Sequence, residues 1–266
     1  MVSSEETFII DAGMNDLPFP IRAPSQVYPR GQPTVANISV QARIMREFEA
    51  RWIDRFIQLL HAHREELGSA ANMKLILADA LQKLNANAVR VKYEYPFFIE
   101  KLTPIDKEKN LVRYLCSMTG RVTATREKPA IRLAMRCPII TTYPASEPSD
   151  PTGLFGQLSI VKIELESDSP TYPEDIAEIV DHNALQPVYS FLTQNDQVHV
   201  VKKIHSEYKP SLTTLNAIKE VLARNKNITH YDVTCLNYGM LHSYSTLTTI
   251  ERSAWVPLSS YDEEDI

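Results

Sequence analysis

Between residues 89 and 137 the chain spells three long runs in which apolar and polar side chains alternate, joined by short links. Val89, Val91, Tyr93 and Tyr95 alternate with Arg90, Lys92 and Glu94, and Pro96 with the KLTPIDKEKN loop ends the run. Val112, Tyr114, Cys116 and Met118 make the second; Ile131, Leu133, Met135 and Cys137 alternate with Arg132, Ala134 and Arg136 in the third. A period of two puts each apolar set on one face of an extended strand. Strands joined by links this short pair antiparallel, so a meander is predicted.

The buried face of such a sheet needs a cover. Ile53, Phe56, Ile57, Leu60 and Leu67 recur at helical spacing, Gly68-Ser69 breaks the pattern, and Ser69 is a candidate N-cap. Met73, Ile76, Leu77, Ala80, Leu81 and Leu84 form a second stripe. Before these helices a strand is read over Ala36–Ile44, and residues 1–33 read as a polar, proline-rich surface arm. Beyond the meander, Val161, Ile163 and Leu165 alternate with Lys162, Glu164 and Glu166, whose default is a solvent face. A helical region from about Pro173 to Thr193, bent at Pro187, and a helix from Ser211 carrying Leu215, Ile218 and Leu222 come next. Strands at Val233 and Cys235, and at Tyr244, Thr246, Thr248 and Ile250, close the chain.

Strand, two helices and three strands thus recur loosely as strand, helices and two strands. The expected fold is α+β, in two halves, each an antiparallel sheet with helices on one face. The expected divisions are an N-terminal arm at 1–33, a first unit at 34–150, a second unit at 151–253 and an acidic tail at 254–266.

A chain of 266 residues with 44% hydrophobic side chains can bury a sizeable core. Its net charge of -5 argues against an extended nucleic-acid surface, which would be basic. No apolar run approaches the roughly 18 residues that cross a bilayer, and MVSSEETFII has no positively charged leader region, so a cytoplasmic protein is expected. Cys116, Cys137 and Cys235 fall in strand-like runs without CxxC spacing and read as buried free thiols. Cys137 adjoins a loop, which leaves a thiol nucleophile open there.

That loop lies between Arg136 and Ser159, where two strong strands flank RCPIITTYPASEPSDPTGLFGQLS. Loops so framed carry much of the chemistry of folded scaffolds. Elsewhere the titratable groups read as structural. His61 and His63 sit about 200° apart around a helix and cannot chelate together. His199 and His205 flank Lys202 and Lys203 and read as a solvated surface, with anion binding as the other reading.

Several stretches resemble the type IB GTP cyclohydrolase family: GMNDLPFPI at 13–21, IDRFIQLLHAH at 53–63, VKYEYPFFIEKLTPI at 91–105, CPIITTYPAS with GLFGQLS around the loop and, more loosely, NYGMLHSY at 237–244. The resemblance implies two tandem tunnelling-fold units per chain, with sheets closing into barrels between subunits and hence a homodimer or homotetramer. It also implies a divalent ion, held by cysteine, histidine and glutamate, that activates water against C8 of GTP. The family's Cys-Pro-Cys-Ser run is Tyr143-Pro144-Ala145-Ser146 here, and its Gly-x-His-Asn-Gln run is Gly153-Leu154-Phe155-Gly156-Gln157. The glutamate ligand falls at Gln197, a guanine-anchoring glutamate at about Leu212, and of a C-terminal Glu-Ser-Ile-His-x-His only His242 remains, beside Tyr244.

Metal coordination brings the pKa of water from 15.7 to about 7, so losing it removes up to roughly 12 kcal/mol of activation. From these replacements the sequence predicts an enzyme that uses no metal or other cofactor. Its expected work is acid–base cyclisation, hydrolysis or ring rearrangement of a small nitrogen heterocycle in specialised metabolism, rather than GTP ring opening. His242, Tyr143 and Tyr244 are the catalytic candidates, and Ser146, Gln157, Gln197 and Phe155 the substrate-binding ones. Two alternatives stay open: a non-catalytic binding or regulatory subunit, and a true cyclohydrolase with a metal relocated to His199, His205 or His242.

Overall fold

The computed structural model describes residues 10–44, 52–64, 68–125, 128–147, 149 and 153–252. A hairpin of β1 (Ile10–Ala23) and β2 (Gln32–Ile44) leads into helices α1 (Trp52–Ala62) and α2 (Ala70–Leu84). Strands β3 (Ala88–Leu102), β4 (Lys109–Thr123), β5 (Ala130–Thr142) and β6 (Gly156–Ser167) follow. Then come α3 (Pro173–Asn183), the short β7 (Gln186–Pro187), α4 (Gln194–Ser206), α5 (Ser211–Arg224), β8 (Ile228–Tyr238) and β9 (Ser245–Glu251). Among the described residues the nine strands form one antiparallel sheet in the order β1-β2-β3-β4-β5-β6-β8-β9, with β7 beside β5.

The period-two pattern is what seats the helices. Val89, Val91, Tyr93 and Tyr95 of β3, Tyr114 and Cys116 of β4, Met135 and Cys137 of β5 and Val161 and Ile163 of β6 are all buried. Phe56 and Leu60 of α1, Met73 and Leu77 of α2, Ile176 and Val180 of α3 and Leu215 and Ile218 of α5 join them in one core. Ser69 caps α2, its hydroxyl accepting from the Asn72 N–H at 3.3 Å. Among the described residues no helix is long and apolar enough to cross a membrane.

Three expectations are corrected. Residues 10–23 are no arm but a sheet edge: Ile10 faces Ile44 and Ala23 faces Gln32. Pro18 and Pro20 disguise this strand, yet an edge tolerates missing N–H donors. Its alternation also slips at a register break between Met14 and Leu17, where Asp16 takes a positive φ of 55°. The helical region from Pro173 to Thr193 is not one bent helix, because α3 stops at Asn183 and β7 adds Gln186 and Pro187 to the sheet beside Ile140 and Ile139. Glu164 and Glu166 do not simply face solvent: Arg132 binds them at 3.1 and 2.8 Å. The acidic tail at 254–266 and Leu67 lie outside the described residues.

His61, in α1, and His63, one residue past its end, have different neighbours. His61 meets Phe19 edge-on at 5.7 Å, and His63 Nε2 meets Asp79 Oδ2 at 3.0 Å. All three cysteines are buried. Cys137 is fully buried, and burial pushes its thiol well above its ordinary range, which disfavours a nucleophilic thiolate there.

Asp196, wholly buried in the first turn of α4, ties that helix to the β3–β4 hairpin. Its carboxylate accepts the Ile105 N–H at 2.8 Å and the Asp106 N–H at 3.2 Å, and the Thr193 N–H and hydroxyl at 3.2 and 2.8 Å. Burial alone would push this carboxyl up. The donors from Ile105, Thr193, Thr103 and Asp106 outweigh it and hold the group well below the ordinary carboxylate range. A carboxyl depressed by folding stabilises the fold above its unfolded value of about 3.9 and stops doing so as pH falls toward the folded value. Asp196→Asn is therefore expected to lower the melting temperature at pH 7 by roughly 5 °C or more. Its melting temperature should also depend less on pH below about pH 4 than that of the parent chain. Melts recorded across pH would refute this if the two curves coincide.

Candidate functional site at the β5–β6 loop

β5 and β6 end together, with Thr142 opposite Gly156. The loop between them closes through its own backbone: the Tyr143 N–H donates to the Phe155 carbonyl at 2.7 Å, and the Ser146 N–H to the Tyr143 carbonyl at 3.0 Å. The Ser146 hydroxyl donates to that same carbonyl at 2.6 Å and accepts from the Phe155 N–H at 3.3 Å. Ser146 thus fixes the loop shape that presents Tyr143 and Phe155.

Beneath the loop, Gln157 and Ser159 occupy the inward phase of β6 otherwise held by Val161 and Ile163. Polar side chains there need partners, and they have them. Gln157 Nε2 donates to Thr141 Oγ1 at 3.2 Å; Thr141 Oγ1 lies 2.8 Å from Ser159 Oγ, which donates to Asn237 Oδ1 at 2.8 Å. Since the single Ser159 proton goes to Asn237, Thr141 must donate to Ser159. The four side chains therefore form one directed chain of donors across β5, β6 and β8. Asn237 Nδ2 extends it to Ser211 Oγ and Thr246 Oγ1, each at 3.4 Å. Such a chain is strengthened by the low local dielectric and holds the floor of the site rigid.

α4 forms one wall. The Leu154 N–H donates to the His205 carbonyl at 3.4 Å, and the Phe155 ring meets the His205 ring edge-on at 6.0 Å. The Thr142 hydroxyl accepts the Lys209 N–H at 2.7 Å just past the helix. Burial, with Lys203 nearby, pushes the Lys209 ammonium down from its ordinary value. Gly156 lets α4 approach: a Cβ there would lie 2.7 Å from Ile204 Cγ2 and 2.9 Å from Ile140 Cγ2, both on stiff β-branched side chains. Gly156→Ala is expected to destabilise the fold by about 1–3 kcal/mol. Denaturant unfolding measures this, and a midpoint unchanged from the parent chain would show that α4 shifts freely.

Of the expected site residues, Tyr143, Ser146, Phe155 and Gln157 are brought together. The β8–β9 turn joins them, since a Cβ on Gly239 would lie 3.2 Å from Tyr143 Cε2. Further along that exposed turn His242 and Tyr244 stack with centroids 4.8 Å apart and planes 12° apart. Gln197 stands apart, exposed on α4 eight residues before His205, its amide donating to the Leu192 carbonyl at 3.1 Å. His205, read from sequence as surface, is a site neighbour that the local pattern does not signal. Thr141, Ser159 and Asn237 were missed as well, although a polar residue in the inward phase of a strand is a legible sign.

The ion implied by the family resemblance does not fit these residues. Phe155 offers no donor atom, and the Gln197 amide is turned to Leu192. Among the described residues no three His, Cys, Asp or Glu side chains lie close enough together to share an ion.

A family model described as type I GTP cyclohydrolase folE2 matches residues 3–248. GTP cyclohydrolase FolE2 of Citrifermentans bemidjiense is 25% identical over 91% of this chain and 88% of its own length. That of Geotalea uraniireducens is 28% identical over 83% of this chain and 80% of its own, and that of Geobacter sulfurreducens 25% identical over 92% and 93%. Among solved structures, uricase from Arthrobacter globiformis superposes with a TM-score of 0.54 at 9% identity, covering 94% of this chain and 96% of that one. A hyperthermostable mutant of urate oxidase from Bacillus sp. TB-90 gives 0.52 at 9% identity over 91% and 98%. This structural likeness shows a shared tunnelling fold and no more.

The family match corrects the functional expectation. Metal-independent chemistry on a compound other than GTP, within specialised metabolism, does not stand against a match to GTP cyclohydrolases that runs from residue 3 to residue 248. The physical reason is that Phe155 and Gln197 bear on one ligand set, whereas substrate choice depends on the whole site.

Proposed function

Because this chain belongs to the type I GTP cyclohydrolase family, we propose that it hydrolyses GTP, adding water at C8 of the guanine and opening the imidazole ring. The family match over residues 3–248 carries the reading. Water addition at C8 requires a group that takes a proton from water and one that returns a proton to the departing ring nitrogen. An imidazole serves either purpose near neutrality, and His242, in the turn beside Tyr143, is the candidate. Tyr143 and Tyr244 are candidate donors to developing oxygen charge. Phe155, edge-on to His205, offers an aromatic wall to the purine, and Ser146 and Gln157 are candidate polar contacts, whereas Gln197 stands apart from them on α4.

The assembly we infer is a homodimer or homotetramer. Among the described residues β1 and β9 end the sheet with one edge each unpaired, and such edges invite pairing with another chain. The function is tested by incubating purified protein with GTP, with ATP as control, in the presence and absence of added Mn²⁺ or Zn²⁺, and following the purine by chromatography. Consumption of GTP alone is expected. No consumption under any of these conditions would overturn the reading.

A further inference from the structure

The hydrogen-bonded chain beneath the loop has a fixed sense, set at both ends. Gln157 Nε2 lies 3.2 Å from Thr141 Oγ1 and 3.5 Å from the Thr142 carbonyl. A backbone carbonyl only accepts, so the amide turns its NH2 group toward it; reversed, the amide would set two carbonyl oxygens against each other. At the far end the Cys235 thiol donates to Asn237 Oδ1 at 3.4 Å. Burial pushes that thiol up to about 11, so it keeps its proton. Thr141 and Ser159 relay this sense between the two ends, at 2.8 Å per link.

The consequence lies at Gln157 Oε1. This oxygen accepts from none of the described residues, yet it is not among the unpartnered polar atoms sealed in the interior. It therefore keeps contact with solvent, although Gln157 as a whole is only 4% exposed. The loop that carries Tyr143 and Phe155 begins at the end of the same two strands, so this open side of the amide belongs to the candidate site. A carboxamide free to rotate offers either a donor or an acceptor. This one is held as an acceptor in narrow surroundings, and such a group discriminates. An N–H placed on it is partnered, whereas a second acceptor is repelled and left unpaired.

We propose that Gln157 Oε1 selects guanine by accepting from the N1–H and amine edge of the base, with Thr141, Ser159 and Asn237 as positioning residues that hold its amide. The assignment rests on the proposed action on GTP. At the two corresponding positions adenine presents a bare N1, itself an acceptor, and a C2–H.

Ligand-observed NMR titration of the full chain tests this, with guanosine, 1-methylguanosine and adenosine as probes. Guanosine is expected to bind saturably, at least about tenfold more tightly than 1-methylguanosine, which lacks the N1–H, or adenosine, which lacks both donors. In Thr141→Val the anchor of Nε2 is gone and the amide can turn, so the ratio of guanosine to adenosine affinity should fall at least about threefold. A merely structural role would weaken both nucleosides together and leave that ratio unchanged. Absent binding of guanosine, equal binding of 1-methylguanosine or adenosine, or a folded Thr141→Val variant that discriminates like the parent would each overturn the proposal. The comparison among nucleosides uses the unmodified chain, so it decides the matter even if the variant does not fold. GTP consumed by a chain that does not discriminate these nucleosides would overturn the role of Gln157 and leave the proposed function standing. Guanosine bound selectively without GTP turnover would do the reverse.

Discussion

Lys101→Met alone is expected to destabilise the fold by about 3 kcal/mol, the lower end of what breaking a buried ion pair costs, because Asp181 keeps some contact with solvent. The substitution strands a carboxylate between α3 and the end of β3. Burial already raises that carboxyl in the folded state, and removing the ammonium raises it further. A carboxyl whose folded pKa exceeds its unfolded value binds protons more tightly when folded, so stability falls as pH rises through the folded value. The variant should accordingly melt closest to the parent chain in mild acid and furthest from it above neutrality. Lys101→Met/Asp181→Leu, with no charge left to strand, is expected to melt within about 1 kcal/mol of the parent. Equal melting of the single variant and the parent at all pH values would show that the pair contributes nothing.

His242→Ala is expected to lower GTP turnover by about 10²–10⁴-fold, the usual contribution of a positioned general acid or base. The side chain lies in an exposed turn, stacked on Tyr244, so its removal should leave the melting temperature almost unchanged. Added imidazole should restore part of the rate, which a merely structural role would not allow. Unchanged turnover would remove His242 from the mechanism while leaving the family assignment intact.

The meander of β3, β4 and β5 was legible because each strand buries one face, so burial writes its period directly into residues such as Val89, Val91 and Tyr93. β1 was not legible. An edge strand tolerates Pro18 and Pro20, and the bulge before Leu17 shifts its alternation by the time Phe19 and Ile21 reach the core. The gap between α3 and α4 had a readable sign, the Thr193–Asp196 capping box that starts α4, which a reading centred on apolar spacing passes over.

At the site, the grouping of Tyr143, Ser146, Phe155 and Gln157 follows from a hairpin loop and is local. The place of His205 depends on α4 docking beside Gly156, a contact set by distant packing that no local pattern encodes. Substrate was misjudged because replaced side chains at a few positions were given more weight than the match of the chain as a whole.

The central claim, that this chain opens the guanine ring of GTP, is tested most directly with GTP carrying ¹³C at C8. If the claim holds, incubation with the purified protein moves the labelled carbon from its aromatic resonance to that of a formyl group or of formate. An aromatic C8 signal that persists undiminished, with and without added Mn²⁺ or Zn²⁺, would contradict it.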